Sequence, residues 1–319
     1  MKKASAAASA SAGRSYRQML RRDFSMHRGV YALAIPVVVY YLLFHYLPMY
    51  GSIIAFKDFS PGKGIWGSPW TSMGGMKHFI DFFTSYNFSS LVTNTLAISL
   101  LEILFAFPAP IIFALLLNEV RCKPFQKSVQ TLTYLPHFLS LVVVCGLIKE
   151  FTTTDGLITS IYALFGNEPE NLLMNPDYFR TIYVGSSVWQ TLGWNSIIYI
   201  AALTNVDQNL YEAARIDGAS RWKQTLHVTL PCILPTIIIM LILKLGSVFS
   251  LGFEKIILLY NPLTYDTADV ISSYVYRRGL LDADYSGASA IGLFNSVLNF
   301  AILILANRIS RRFSETSLW

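Results

Sequence analysis

The sequence predicts an all-α protein, a polytopic membrane bundle of six transmembrane helices, and three observations carry that expectation. Of 319 residues, 53% are hydrophobic and 14% are charged, whereas soluble domains carry roughly 25% charged residues. The mean hydropathy is +0.45. Six apolar stretches recur along the chain, each near the about 20 residues that a helix needs to cross hydrocarbon. A chain with so few charges has too little polar surface for water alone, and it suits lipid.

The first element is a basic tail over residues 1–29, Ala/Ser-rich and almost free of acids, with Lys2, Lys3, Arg14, Arg17, Arg21, Arg22 and Arg28 ahead of the first apolar run. Its composition is that of a transit peptide, but the simpler expectation is a disordered cytoplasmic tail. No small-residue cleavage site follows the first span, so a removed signal peptide is not expected. Residues 30–90 then hold the first span, 30–50, and an external segment. A core over 91–307 holds spans at 92–116, 130–149, 181–203, 233–253 and 287–307, with a cytoplasmic loop at 204–232. A tail at 308–319 carries Arg308, Arg311 and Arg312. Pro36, Pro48, Pro108 and Pro110 fall inside spans, where neighbouring groups satisfy the freed carbonyls and the helix kinks instead of ending.

Loop charge sets the orientation. With the N-terminus inside, loop 117–129 is cytoplasmic and carries Arg121, Lys123 and Lys127 against Glu119, while loop 150–180 is external and holds Glu150, Asp155, Glu168, Glu170 and Asp177. Basic residues then favour the inner side, as membrane insertion demands, and both termini are cytoplasmic. The same placement explains the net charge of +6 without nucleic acid. Cys122, Cys145 and Cys232 show neither metal-ligand nor disulfide spacing.

Two ionisable residues, Glu102 and Lys244, lie inside expected spans. Each costs about 2.5–3.5 kcal/mol at mid-bilayer, so each must face protein or water. The readings are a pathway residue, an interhelical pair, or a snorkelling Lys244.

The loop at 204–232 is the most informative segment. Residues 208–217 read as a short amphipathic helix, Gly218 as a permissive turn, and Ser220 as the cap of a second helix that starts at Arg221 and enters the next span at Pro231. Ala213 and Ala214 let another surface approach closely, and Glu212 and Arg215 give it a register through charge. On the residues alone, an ordinary interfacial loop is the alternative.

Glu212-Ala213-Ala214, then Gly218, then Val228 and Leu230-Pro231 resembles the EAA motif of ABC importer permeases, with Val228 standing where Ile is commoner. The resemblance implies the type I ABC importer permease fold, with Glu212, Ala213, Ala214, Arg215, Asp217 and Gly218 coupling to the ATPase. Tyr46–Gly51, Ala114–Val120, Tyr134–Ser140, Gly252–Lys255 and Leu259–Tyr265 are similar to the polysaccharide and complex-oligosaccharide branch of carbohydrate permeases. The likeness covers about residues 30–310. It implies a bacterial cytoplasmic-membrane location, a second homologous permease, a pair of ATPase subunits that bind ATP and Mg, and an extracytoplasmic sugar-binding protein. No cofactor is expected in this chain.

A sugar pathway needs hydrogen-bonding groups and an aromatic face in a wet cavity. Tyr183, Ser187, Gln190 and Trp194 recur at three- and four-residue steps on the fourth span, with Thr191 and Asn195 beside them, while the fifth span offers Phe249, Ser250 and Gly252. Interhelical polar contacts are the alternative for this face. Gly62-Lys63-Gly64 is no P-loop, and scattered His45, His137 and His227 suggest no metal, so a non-catalytic transport subunit is expected. Other expectations are weaker. A non-sugar ABC permease keeps the EAA spacing, whereas an ion-coupled transporter should show repeats and a glycosyl-transfer enzyme clustered carboxylates.

Overall fold

The structure, a computed structural model, describes residues 23, 24 and 26–313. Most of the basic tail and residues 314–319 therefore lie outside the described residues. Helices supply all regular structure among the described residues except one isolated antiparallel bridge between Lys57 and Trp70. The chain divides into two units, Met1–Ile54 and Ala55–Trp319. Helix α1, Arg28–Phe56, begins in the first.

The second unit opens with α2, Lys77–Phe83, and then α3, Phe88–Glu119. Next come α4, Lys123–Phe138, and α5, Leu141–Phe151, followed by α6, Leu157–Leu164, and α7, Pro176–Thr204. Helix α8 spans Gln208–Ile216 and α9 spans Arg221–Leu245. The unit closes with α10, Phe253–Leu259, α11, Ile271–Tyr276, and α12, Tyr285–Phe313.

Four of these helices, α1, α3, α9 and α12, are continuous, long and apolar enough to cross a membrane, and α4 with α5 makes a fifth if a bent pair counts as one span. The expected count of six is not reached by this measure. Helix α7 has the length, 29 residues, but its polar run from Ser186 to Asn195 lowers its hydropathy.

The third expected span, 130–149, is also not one helix. It breaks between α4 and α5 with a bend of 100°. Pro136 tightens the end of α4 into a 3₁₀ turn, Leu139 is extended, and Ser140 caps α5 by accepting a hydrogen bond from the Val143 N–H at 3.3 Å. A capped new start outcompetes continuation of the old helix.

Three prolines inside spans follow widened turns, whereas Pro36 and Pro235 sit within regular α-helix. The π turns at Leu42–Tyr46, Glu102–Ala106 and Thr225–Thr229 each end two residues before a proline: Pro48, Pro108 and Pro231. Proline lacks an N–H and its ring crowds the carbonyl four residues back. Shifting the preceding bonds to i→i−5, as in Phe107 N–H to the Glu102 carbonyl at 3.0 Å, makes room and keeps the helix running.

Four apolar clusters lie in the second unit among the described residues, the smallest being Ala55, Phe79 and Ala290. Ile98, Val144, Phe179, Tyr183 and Ile256 join α3, α5, α7 and α10. Ile111, Ala114, Tyr199, Leu203 and Ile233 join α3, α7 and α9. Phe82, Leu91, Phe249, Ile271 and Ile291 join α2, α3, α11 and α12. Helix α7 meets α4 at Gly193, where an added Cβ would lie 2.4 Å from the Thr133 carbonyl oxygen. Only glycine permits that approach.

Candidate functional site

A cavity of about 770 Å³ opens among α3, α7, α9 and α10, within the usual range for small-ligand sites. Helix α7 supplies one wall through Tyr183, Ser187, Gln190, Thr191, Asn195 and Tyr199. The fourfold step from 183 to 199 is why one helix delivers a polar stripe to one space. The Thr191 hydroxyl donates to the Ser187 carbonyl at 2.8 Å, and the Ser187 hydroxyl donates to the Tyr183 carbonyl at 2.9 Å. These bonds spend part of their capacity inside α7. The Gln190 and Asn195 amides make no hydrogen bond to another described residue and remain open to a ligand.

The cavity therefore gathers Ser187, Gln190, Thr191, Asn195 and Gly252 from the sequence-derived pathway residues, but not Trp194 or Phe249. Trp194 shares the angular position of Gln190 but lies one turn further along. There the broken third span folds over it: His137 stacks on its ring at 4.4 Å, nearly parallel at 8°, with Phe138 edge-on at 5.8 Å. Phe249 is buried on the far side with Phe82 and Ile291. Its N–H donates to Asn299 Oδ1 at 2.9 Å and its carbonyl accepts from Asn295 Nδ2 at 2.8 Å.

The cavity's charged residues come from other elements. Glu102, on the π turn of α3, takes a hydrogen bond from Lys244 near the end of α9 at 2.5 Å, so of the three readings the interhelical pair is what forms. Lys255, on α10, donates to Ser187 Oγ at 2.7 Å and to the Tyr183 carbonyl at 3.1 Å. Burial pushes its ammonium down to about 8, against smaller upward pulls from Cys145 and Glu102. Sequence reasoning missed Lys255 as a site residue because it sits beyond the fifth span. The only sequence signal was the Gly252–Lys255 motif.

The second candidate region is the elbow between α7 and α9. Asp207 caps α8 by accepting from the Asn209 N–H at 2.9 Å. Helix α8 then ends in a glycine cap. The Ala219 N–H donates to the Ala214 carbonyl at 2.8 Å and the Gly218 N–H to the Arg215 carbonyl at 3.1 Å. This is the paired bond pattern that a left-handed residue makes possible. Gly218 supplies that residue, with φ +75. Ser220 then caps α9, accepting from the Lys223 N–H at 3.5 Å. Two tethers fix the elbow to the bundle: Tyr211 Oη to Thr229 Oγ1 at 2.9 Å, and Arg221 to Glu119 at 2.5 Å.

The elbow places Glu212, Ala213, Arg215, Asp217 and Gly218 in the open, with Ala214 half-buried. It also exposes large apolar side chains that the motif does not name: Ile216 is 87% and Trp222 71% exposed, with Leu210 also open.

Residues 87–315 match the family described as binding-protein-dependent transport system inner membrane component. In Bacillus subtilis (strain 168), the polygalacturonan/rhamnogalacturonan transport system permease protein YteP is 44% identical over 291 residues, covering 91% of this chain and 90% of that one. Protein LplB of the same organism is 43% identical over 308 residues, covering 96% and 95%. A solved bacterial alginate ABC transporter, in complex with an alginate pentasaccharide-bound periplasmic protein, has a chain with the same fold: TM-score 0.85 and 42% identity, covering 93% of this chain and 99% of that chain.

Proposed function

The chain belongs to the family of binding-protein-dependent transport system inner membrane components, and from that membership we propose that it forms half of the pathway of an ATP-driven oligosaccharide importer. It is a multi-pass membrane protein with the ABC-importer permease fold. A second, homologous permease closes the open side of the cavity, and a pair of ATPase subunits binds ATP and Mg. An extracytoplasmic protein delivers the sugar. The names of YteP and the alginate importer support an oligosaccharide cargo, as do the free amides of Gln190 and Asn195 beside tyrosine rings.

The observation that carries the coupling role is the elbow. ATP is hydrolysed on another subunit, so force must cross a protein contact. A short helix tied to α9 through Tyr211, exposing Leu210 and Ile216 beside Glu212 and Arg215 with Trp222 open at the start of α9, is a surface that a protein partner covers. Glu212 meets a basic group there, while Ala213 and Gly218 permit close approach. This reading puts the elbow and both termini in the cytoplasm.

A cysteine at Ile216, in the purified assembly, should cross-link to the ATPase subunit through a short bifunctional reagent, and ATP should change the yield. Failure to cross-link in an assembly that contains the ATPase removes the elbow from coupling.

A further inference from the structure

The cavity holds a cation that no carboxylate among the described residues pairs with at contact distance. Lys255 is 6% exposed, and its ammonium is held by a main-chain carbonyl, by the hydroxyl of Ser187, and by the face of the Tyr183 ring at 4.8 Å. All three are neutral. No Asp or Glu among the described residues lies within ion-pairing distance of it. The other charges on the cavity are accounted for: Glu102 is engaged by Lys244, and Glu254 is exposed on the preceding position of α10, about 100° back round the helix, where solvent screens it.

A buried cation without a paired counter-charge destabilises a fold, and the face of Tyr183 offsets only part of that cost. The two hydrogen bonds that join α10 to α7 need donors, which a neutral amide also supplies; they do not need the charge. An ammonium has three donors, and two are occupied. The third makes no hydrogen bond among the described residues, and Lys255 lines the same cavity as the amides of Gln190 and Asn195.

We propose that Lys255 recognises acidic sugar units, its ammonium taking the carboxylate of a uronate residue as the cargo passes through the cavity. The inference rests on the oligosaccharide reading above and adds the charge of the cargo. The neutral groups of α7 hold hydroxyls, which every sugar has, while Lys255 separates uronates from neutral sugars. One charge-assisted hydrogen bond in a desolvated site gives a preference of roughly tenfold or more.

The test is calorimetric binding of trigalacturonate, and of trigalactose as its uncharged counterpart, to the solubilised assembly without the binding protein, so that no upstream selection enters. The wild type should bind trigalacturonate roughly tenfold more tightly, a result that depends on no variant folding. Lys255→Gln should remove that preference, and Lys255→Arg should retain most of it. Equal loss for both sugars in Lys255→Gln makes Lys255 a structural tie and overturns the proposal, as does an unchanged preference. A wild type that prefers trigalactose overturns the charge inference and leaves the oligosaccharide reading standing. Binding of neither sugar overturns that reading as well.

Discussion

The Glu102–Lys244 pair gives an asymmetric prediction. Both side chains line the cavity, yet Glu102 is 11% exposed and Lys244 38%. Removing one partner of a buried pair costs about 3–5 kcal/mol, because the other charge is left without compensation. A lone charge that water can reach costs far less, since exposed pairs contribute only about 0–1 kcal/mol. Lys244→Met strands the buried carboxylate, so it should cost about 3 kcal/mol. Glu102→Gln strands the wetter ammonium, so it should cost about 1 kcal/mol. The double variant strands nothing and should lie within about 1 kcal/mol of wild type, because neutral replacement of such pairs is often harmless. The loss is then strongly non-additive. Denaturant unfolding of the solubilised chain, followed by tryptophan fluorescence, measures the four corners of this cycle. If Glu102→Gln costs more than Lys244→Met, the burial argument fails. If the two losses add in the double variant, the pair is not coupled.

Three further outcomes follow from single positions. At Gly218 an added Cβ meets nothing within 4 Å, so the penalty is backbone strain of roughly 1–2 kcal/mol. Coupled ATP hydrolysis should fall in the order Gly, Asn, Ala, Val, and Asn doing worse than Ala would point to clearance from the partner instead. Gly193→Ala should cost about 1–3 kcal/mol through overpacking, seen as a lower unfolding midpoint, since its Cβ would press on Thr133 and Tyr134. In a background free of Cys122, Cys145 and Cys232, an impermeant thiol reagent added outside should label a cysteine at Asn167 and not one at Ser220. The reverse pattern would invert the orientation.

What was legible in the sequence was local. The elbow reads directly because its determinants, Gly218 and the Ser220 cap, act within a few residues of themselves. The polar stripe of α7 is likewise visible as a period. A period, however, names a face and not what covers it, which is why Trp194 falls under His137 and Phe138. That cover exists only because the chain breaks at Leu139, and a 20-residue apolar window is blind to one serine cap. Helix α7 reads as a span in the sequence, yet the polar residues it lends to the cavity lower its hydropathy. The charged contacts were out of reach for a different reason: Lys255 and Ser187 are 68 residues apart, and Glu102 and Lys244 are 142 apart. Only packing brings them together.

In the proposed function this chain passes an oligosaccharide through a membrane at the expense of ATP hydrolysed on another subunit. The most direct measurement is uptake of labelled trigalacturonate into proteoliposomes that hold the complete assembly, with binding protein outside and ATP inside. Uptake should require both the binding protein and hydrolysable ATP and persist when ionophores collapse every ion gradient. Uptake that proceeds without ATP and stops with the ionophores would contradict it.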